Sequence, residues 1–180
     1  LPIKGLSINK DGKVIYEDYK GYEDPFRKHH TSSVTRDIWL YTPAAGQKGF
    51  GINADGTFTK ISDFAGEDRN PVFAPDGDTY YYLSEADGTY NIYKSSIDAP
   101  AESTQITFHK DNPARYLSIS ANGVICYSQD GELYIIKNGQ QPQKIKANII
   151  TDQIESSVEY QNLTSGATRL AVSPNGKEVA

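Results

Sequence analysis

The sequence predicts an all-β fold: a partial β-propeller of about three four-stranded antiparallel blades plus the start of a fourth unit. Three observations predict it. One phrase recurs four times, an apolar run leading into a small-residue turn that closes on Gly, then a second β-rich run. The copies are Leu6-Ser-Ile-Asn-Lys-Asp-Gly12, Val72-Phe-Ala-Pro-Asp-Gly77, Leu117-Ser-Ile-Ser-Ala-Asn-Gly123 and Leu170-Ala-Val-Ser-Pro-Asn-Gly176, their glycines spaced by 65, 46 and 53 residues. A period of about 45–50 with insertions is that of a four-stranded propeller blade. Composition agrees: thirteen Tyr against one Trp and no Met suit half-buried pleated surfaces, and fifteen Gly with nine Pro suit many tight turns. No long window carries a helical period.

The first unit opens with a strand at Leu6 and turns at Asp11-Gly12, where Gly supplies the positive φ of a hairpin. Val14–Tyr19 reads as the second strand. A polar insertion runs from Lys20 to Thr35, and Asp37–Thr42 reads as the third strand. A Gly-rich stretch from Ala44 to Gly56 precedes an outer strand at Thr57–Ser62. In the second unit the strands are Pro71–Ala74, Thr79–Ser84, Asn91–Ser95 and Thr104–Thr107. In the third they are Arg115–Ser120, Val124–Ser128, Glu132–Lys137 and Pro142–Ala147. A polar connector from about Ile149 to Ala167 leads to a partial unit, Thr168–Ala180. Residues 1–150 are therefore assigned to one propeller, and 151–180 to a connector and the first strands of a following one. Near-continuous apolar runs such as Val124–Tyr127 and Leu133–Ile136 fit strands covered on both faces. Both ends of the segment are expected to leave a blade face bare. A β-sandwich is disfavoured by the repeated order of strand, Pro/Asp/Gly turn and strand.

Charge and cysteine content narrow the function classes. A net charge of −5, with both signs interspersed, argues against a nucleic-acid partner. No apolar run approaches the ~18 residues of a membrane span. Cys126, the one cysteine, sits in an apolar strand pattern and reads as a small buried hydrophobe. A single cysteine leaves the compartment open, with the bacterial periplasm or envelope favoured over the cytoplasm.

Arg27 and Lys28 with His29-His30 form the densest cluster of functional residue types. Adjacent His residues on an extended strand point to opposite faces, and no third ligand follows at metal-like spacing, so no metal and no cofactor is assigned. The insertion reads as a blade cap or domain contact, with peptide or partner recognition as the functional alternative. Arg36-Asp37 and Glu67-Asp68-Arg69 precede strands of consecutive blades. They read as an interblade network of salt bridges and hydrogen bonds, or as a charged ring at a channel mouth holding a peptide. Asp11, Asp76 and Asp87 precede Gly and serve turn geometry. No Gly-x-Ser-x-Gly elbow appears, so no catalytic residue is assigned. An enzymatic site on the propeller axis would need polar groups converging from several inner strands, and the inner strands as assigned are mostly apolar or small.

Tyr16-Glu-Asp-Tyr-Lys-Gly-Tyr-Glu-Asp-Pro-Phe-Arg-Lys-His-His-Thr-Ser-Ser-Val-Thr-Arg-Asp-Ile-Trp39 resembles the N-terminal propeller of tricorn protease homologues. So does Phe64-Ala-Gly-Glu-Asp-Arg-Asn-Pro-Val-Phe-Ala-Pro-Asp-Gly77, followed by Tyr82-Leu-Ser-Glu85 and Asn91-Ile-Tyr-Lys94. The turn phrase alone is shared with TolB-like propellers. The resemblance implies a six-bladed propeller followed by a seven-bladed one, a PDZ module and a serine peptidase core that has no match here. It implies a non-catalytic scaffold and gate that guides peptides to that core. The implied partners are the remaining propeller, PDZ and peptidase domains, a peptide substrate and further copies of the parent. The alternative is a TolB-like module that binds a protein partner through a blade edge or the insertion.

Overall fold

The computed structural model describes residues 3–22, 24, 31–47, 55–62, 64–137, 139–148, 164–166 and 169–179. Arg27, Lys28, His29 and His30 lie outside these, as does most of the connector. The described residues form twelve strands and no helix. The strands are β1 Ile3–Ile8, β2 Val14–Asp18, β3 Ile38–Pro43, β4 Gly56–Lys60, β5 Asp68–Phe73, β6 Thr79–Ser84, β7 Asn91–Ser96, β8 Ala99–Gln105, β9 Ala114–Ile119, β10 Ile125–Gln129, β11 Glu132–Ile136 and β12 Gln143–Lys144. They make three antiparallel sheets in simple up-and-down order, β1 to β4, β5 to β8 and β9 to β12. The chain divides into two compact units, Leu1–Lys146 with the three sheets and Ala147–Ala180. The second unit holds the start of a fourth copy, in which Val172 bridges Val179 across a turn closed by Gly176 at φ 68°.

Apolar side chains from facing sheets cement the first unit. Ile15, Ile38, Leu40 and Ile61 of the first sheet and its flank pack with Phe73, Tyr80, Tyr82 and Ile97 of the second. Leu83, Tyr90 and Ile92 pack with Ala114, Leu117, Ile125, Tyr127 and Ile136 of the third. The second sheet is thus covered on both faces, as a blade within a ring must be. Each such buried side chain contributes roughly 1.5–3 kcal/mol.

One end departs from expectation and the other follows it. The far face of the first sheet is not bare: Val14, Tyr16 and Tyr41 are buried there with Ile3 and Trp39 against them. The third sheet is open, with Leu133 exposed and Cys126, expected to be buried, only half-buried. The turns also choose their own caps. The Asp76 carboxylate accepts the Asp78 and Thr79 N–H groups at 3.0 and 2.8 Å. In the first turn that role falls to Asn9, whose side-chain oxygen accepts from Asp11 and Lys13 at 3.0 and 2.9 Å. Asp87 instead pairs with Lys110 at 2.7 Å.

Candidate functional site

The inner strands β1, β5 and β9 lie side by side and begin earlier than the sequence pattern suggests, by three residues in β1 and β5 and by one in β9. In β5 the added residues are all polar, Asp68-Arg69-Asn70, and in β1 they include Lys4. Aligned on the turn glycines, Lys4, Arg69 and Arg115 occupy one position, eight residues before Gly12, Gly77 and Gly123. Gly5, Asn70 and Tyr116 occupy the next, and all three have left-handed backbone, at φ 56°, 51° and 54°. Register shifts at the same place in each sheet. Gly5-Leu6, Asn70-Pro71 and Tyr116-Leu117 each stand opposite one residue, Tyr16, Tyr82 and Tyr127, all buried. A β-bulge of this kind bends the strand and re-aims side chains, and here it recurs in every blade. Convergent polar groups are therefore present on the inner strands, contrary to expectation.

These bulges line a pocket of about 340 Å³ bounded by Lys4 and Gly5 from β1, Arg69 and Asn70 from β5, and Arg115 and Tyr116 from β9. Glu17, Arg36 and Leu83 complete it. Its wall is an interblade network. The Glu17 carboxylate accepts from Arg36 Nη1 at 2.8 Å through Oε1, and from the Asn70 backbone N–H at 2.7 Å through Oε2. The Asn70 amide in turn donates to the Leu117 carbonyl at 3.2 Å and accepts the Leu117 N–H at 3.1 Å. One chain of bonds so crosses all three sheets. Gly5 permits it, because a Cβ there would lie 3.2 Å from Glu17 Cδ.

Glu67 is buried behind the wall, 3.4 Å from Arg69 Nη1 and 4.0 Å from Arg36 Nε. Arg69 stacks 4.4 Å above the Tyr90 ring, which fixes its plane. Burial, then the neighbouring Arg69 charge, push the Arg115 pKa down, while Asp24 acts on it in the opposite sense. Arg36, Glu67 and Arg69 are thus brought together. Asp68 lies apart from the pocket lining, within β5, taking hydrogen bonds from Ser84 and Ser62 and facing Asp37 and Glu85. Burial pushes its carboxyl up to about 7. Asp37 pairs outward with Lys20 and Lys60 at 2.6 and 3.1 Å.

Sequence reading missed Lys4, Glu17, Asn70, Arg115 and Tyr116. The signal for four of them, Lys4, Asn70, Arg115 and Tyr116, was available as a fixed offset from the turn glycines. Glu17 carries no comparable signal, since it meets Asn70 53 residues away.

No protein-family model matches the chain. The tricorn protease of Thermoplasma volcanium is 27% identical over 127 residues, which is 71% of this chain and 11% of that protein. The crystal structure of the tricorn protease superposes with a TM-score of 0.65 at 21% identity, over 84% of this chain and 13% of that one. A putative TolB from Agrobacterium tumefaciens gives 0.57 at 16% identity, over 80% of this chain and 49% of that one. The chain therefore spans about a tenth of tricorn protease and half of the TolB structure. It is a propeller segment similar in sequence to tricorn protease and sharing its fold with tricorn and TolB.

Proposed function

We propose that this chain is a non-catalytic propeller segment of a tricorn-like serine peptidase, acting as scaffold and gate for peptides bound for a protease core outside it. The observation that carries the reading is the similarity to tricorn protease over 127 residues. The packing supports it: a sheet covered on both faces and a polar pocket on three adjacent inner strands suit a ring wall. In this reading residues 151–180 begin a following propeller, and the parent, with its PDZ and peptidase domains, assembles from several copies.

Peptide hydrolysis by this chain and by its full-length parent tests the proposal. Turnover by the parent alone, abolished by a serine-directed inhibitor, is expected. Robust inhibitor-sensitive hydrolysis by this chain would refute it. The TolB-like fold supports a second reading, a module that binds a protein partner. An open reading frame that stops soon after a closed propeller would favour that alternative, and a downstream peptidase core the first.

A further inference from the structure

We propose that the pocket on the three inner-strand bulges is a carboxylate-binding subsite that takes acidic peptides, with Lys4, Arg69 and Arg115 as its recognising groups. This deepens the scaffold-and-gate reading by naming the class of peptide handled.

The argument starts from charge. The chain as a whole is at −5, yet four cationic side chains, Lys4, Arg36, Arg69 and Arg115, line this pocket against one carboxylate, Glu17. Glu17 is committed to Arg36 and the Asn70 backbone, so it neutralises the wall rather than the mouth. Asp24 acts on Arg115 from the side of the insertion, and Glu67 on Arg69 from beneath. Those partners orient the two guanidinium groups. Four cations against these three carboxylates leave one net positive charge among the described residues, in a concave, partly dehydrated place where an added anion is stabilised more than on an open surface.

Geometry adds to charge. The three recognising side chains come from the same position of three successive blades, so they form a row across the inner strands. The backbone bulges and the stack of Arg69 on Tyr90 hold that row in place before any ligand arrives, which lowers the ordering cost of binding. Tyr116, exposed at the rim, offers an aromatic face to the chain that bears the carboxylate. A volume of about 340 Å³ fits a few residues of peptide. The same excess charge would be too local for a duplex backbone, and the rest of the chain would repel one.

Fluorescence anisotropy with this chain and labelled short peptides tests the subsite without requiring any hydrolysis. Four probes are used: an Ala/Gly peptide with a free C-terminus, the same peptide amidated, the amidated peptide with three internal Glu, and the amidated peptide with three Lys. Tighter binding of the free acid than of its amide assigns the terminal carboxylate. Tighter binding of the Glu peptide assigns acidic side chains. In either case Lys4→Gln and Arg115→Gln should each weaken binding about tenfold, the scale of one charge-assisted contact. Lys4 is exposed, so its variant separates loss of recognition from loss of folding. Equal binding of all four probes, preference for the Lys peptide, preference for an oligonucleotide, or indifference to Lys4→Gln would overturn the proposal. Absence of peptidase activity in the parent would sink the gate reading and leave this result standing.

Discussion

The joint between the first and second sheets and the joint between the second and third do the same work with different chemistry. Both bury a continuous apolar cluster. The first joint then adds ions: Glu17 against Arg36, Glu67 between two guanidiniums, and Asp68 in β5. The second adds neutral amides and hydroxyls. The Asn70 side chain brackets Leu117, and Asn91 accepts from Thr107 Oγ1 and the His109 N–H at 3.0 and 2.8 Å. His109 Nε2 then meets Tyr127 Oη of the third sheet at 3.1 Å. Ionic joints are specific but fail badly when one partner is removed, whereas neutral ones lose about one hydrogen bond at a time.

Glu17→Gln should therefore give the largest effect. It leaves the Arg36 guanidinium buried beside a neutral group, and it should destabilise the chain by about 3–5 kcal/mol in urea unfolding. The matching change in the second joint, Asn70→Gly, keeps the left-handed backbone and removes only the two bonds to Leu117. It should cost about 1–3 kcal/mol. If Asn70→Gly proves the more damaging, the contrast between the joints is wrong.

The joints should also answer pH in opposite directions. Asp68 binds its proton more tightly folded, near 7, than unfolded, near 3.8. Its contribution is full at low pH and is lost as pH rises through that window, by at most about 4 kcal/mol at 1.36 kcal/mol per pKa unit. Asp37 and Glu85, which face it, add to the penalty on its charged form. Asp68→Asn should flatten stability between pH 4 and 7 and leave the chain more stable than the parent at pH 8. Burial lowers the His109 pKa below 6.5, so its contribution is present at neutral pH and lost on acidification. His109→Gln should remove that acid-side loss. Unfolding midpoints of the two variants from pH 4 to 8 check both signs, and parallel profiles would sink the distinction.

How much of this was legible depends on how local each signal is. The sheets follow from turn phrases such as Pro75-Asp-Gly77, where a few adjacent residues fix a hairpin. Thr79–Ser84 was read without error because its β-formers are contiguous. β5 was entered three residues late, since Asp68-Arg69-Asn70 looks like a polar loop until its neighbours bury Asp68 and Arg69. The Pro-containing β8, Ala99–Gln105, starts before the expected Thr104 for a different reason: it is a largely exposed outer strand, and Ala99-Pro-Ala-Glu102 carries no run of β-formers. Arg36, Glu67 and Arg69 were legible as residue types that pair. Their shared partners were not, because Glu17 on a wholly buried β2 reads in sequence as an outward-facing charge.

The smallest effect offers the sharpest view of the bulges, because three blades solve one backbone problem with three residues. Left-handed φ costs a side-chain-bearing residue roughly 1–2 kcal/mol, and Gly escapes it. Gly5→Ala should incur that strain and also crowd Glu17, whose Cδ would lie 3.2 Å from the new Cβ. A loss above about 1 kcal/mol is expected, with part of the ionic joint going with it. Tyr116→Gly reverses the comparison in the third sheet. Tyr116 is 71% exposed, so little packing is lost, and release of strain should offset the greater freedom of the unfolded chain. A gain of up to about 1 kcal/mol is expected in urea unfolding. A clear loss instead would mean that the Tyr116 ring packs on the bulge strongly enough to outweigh its own strain, and the three positions would no longer be equivalent.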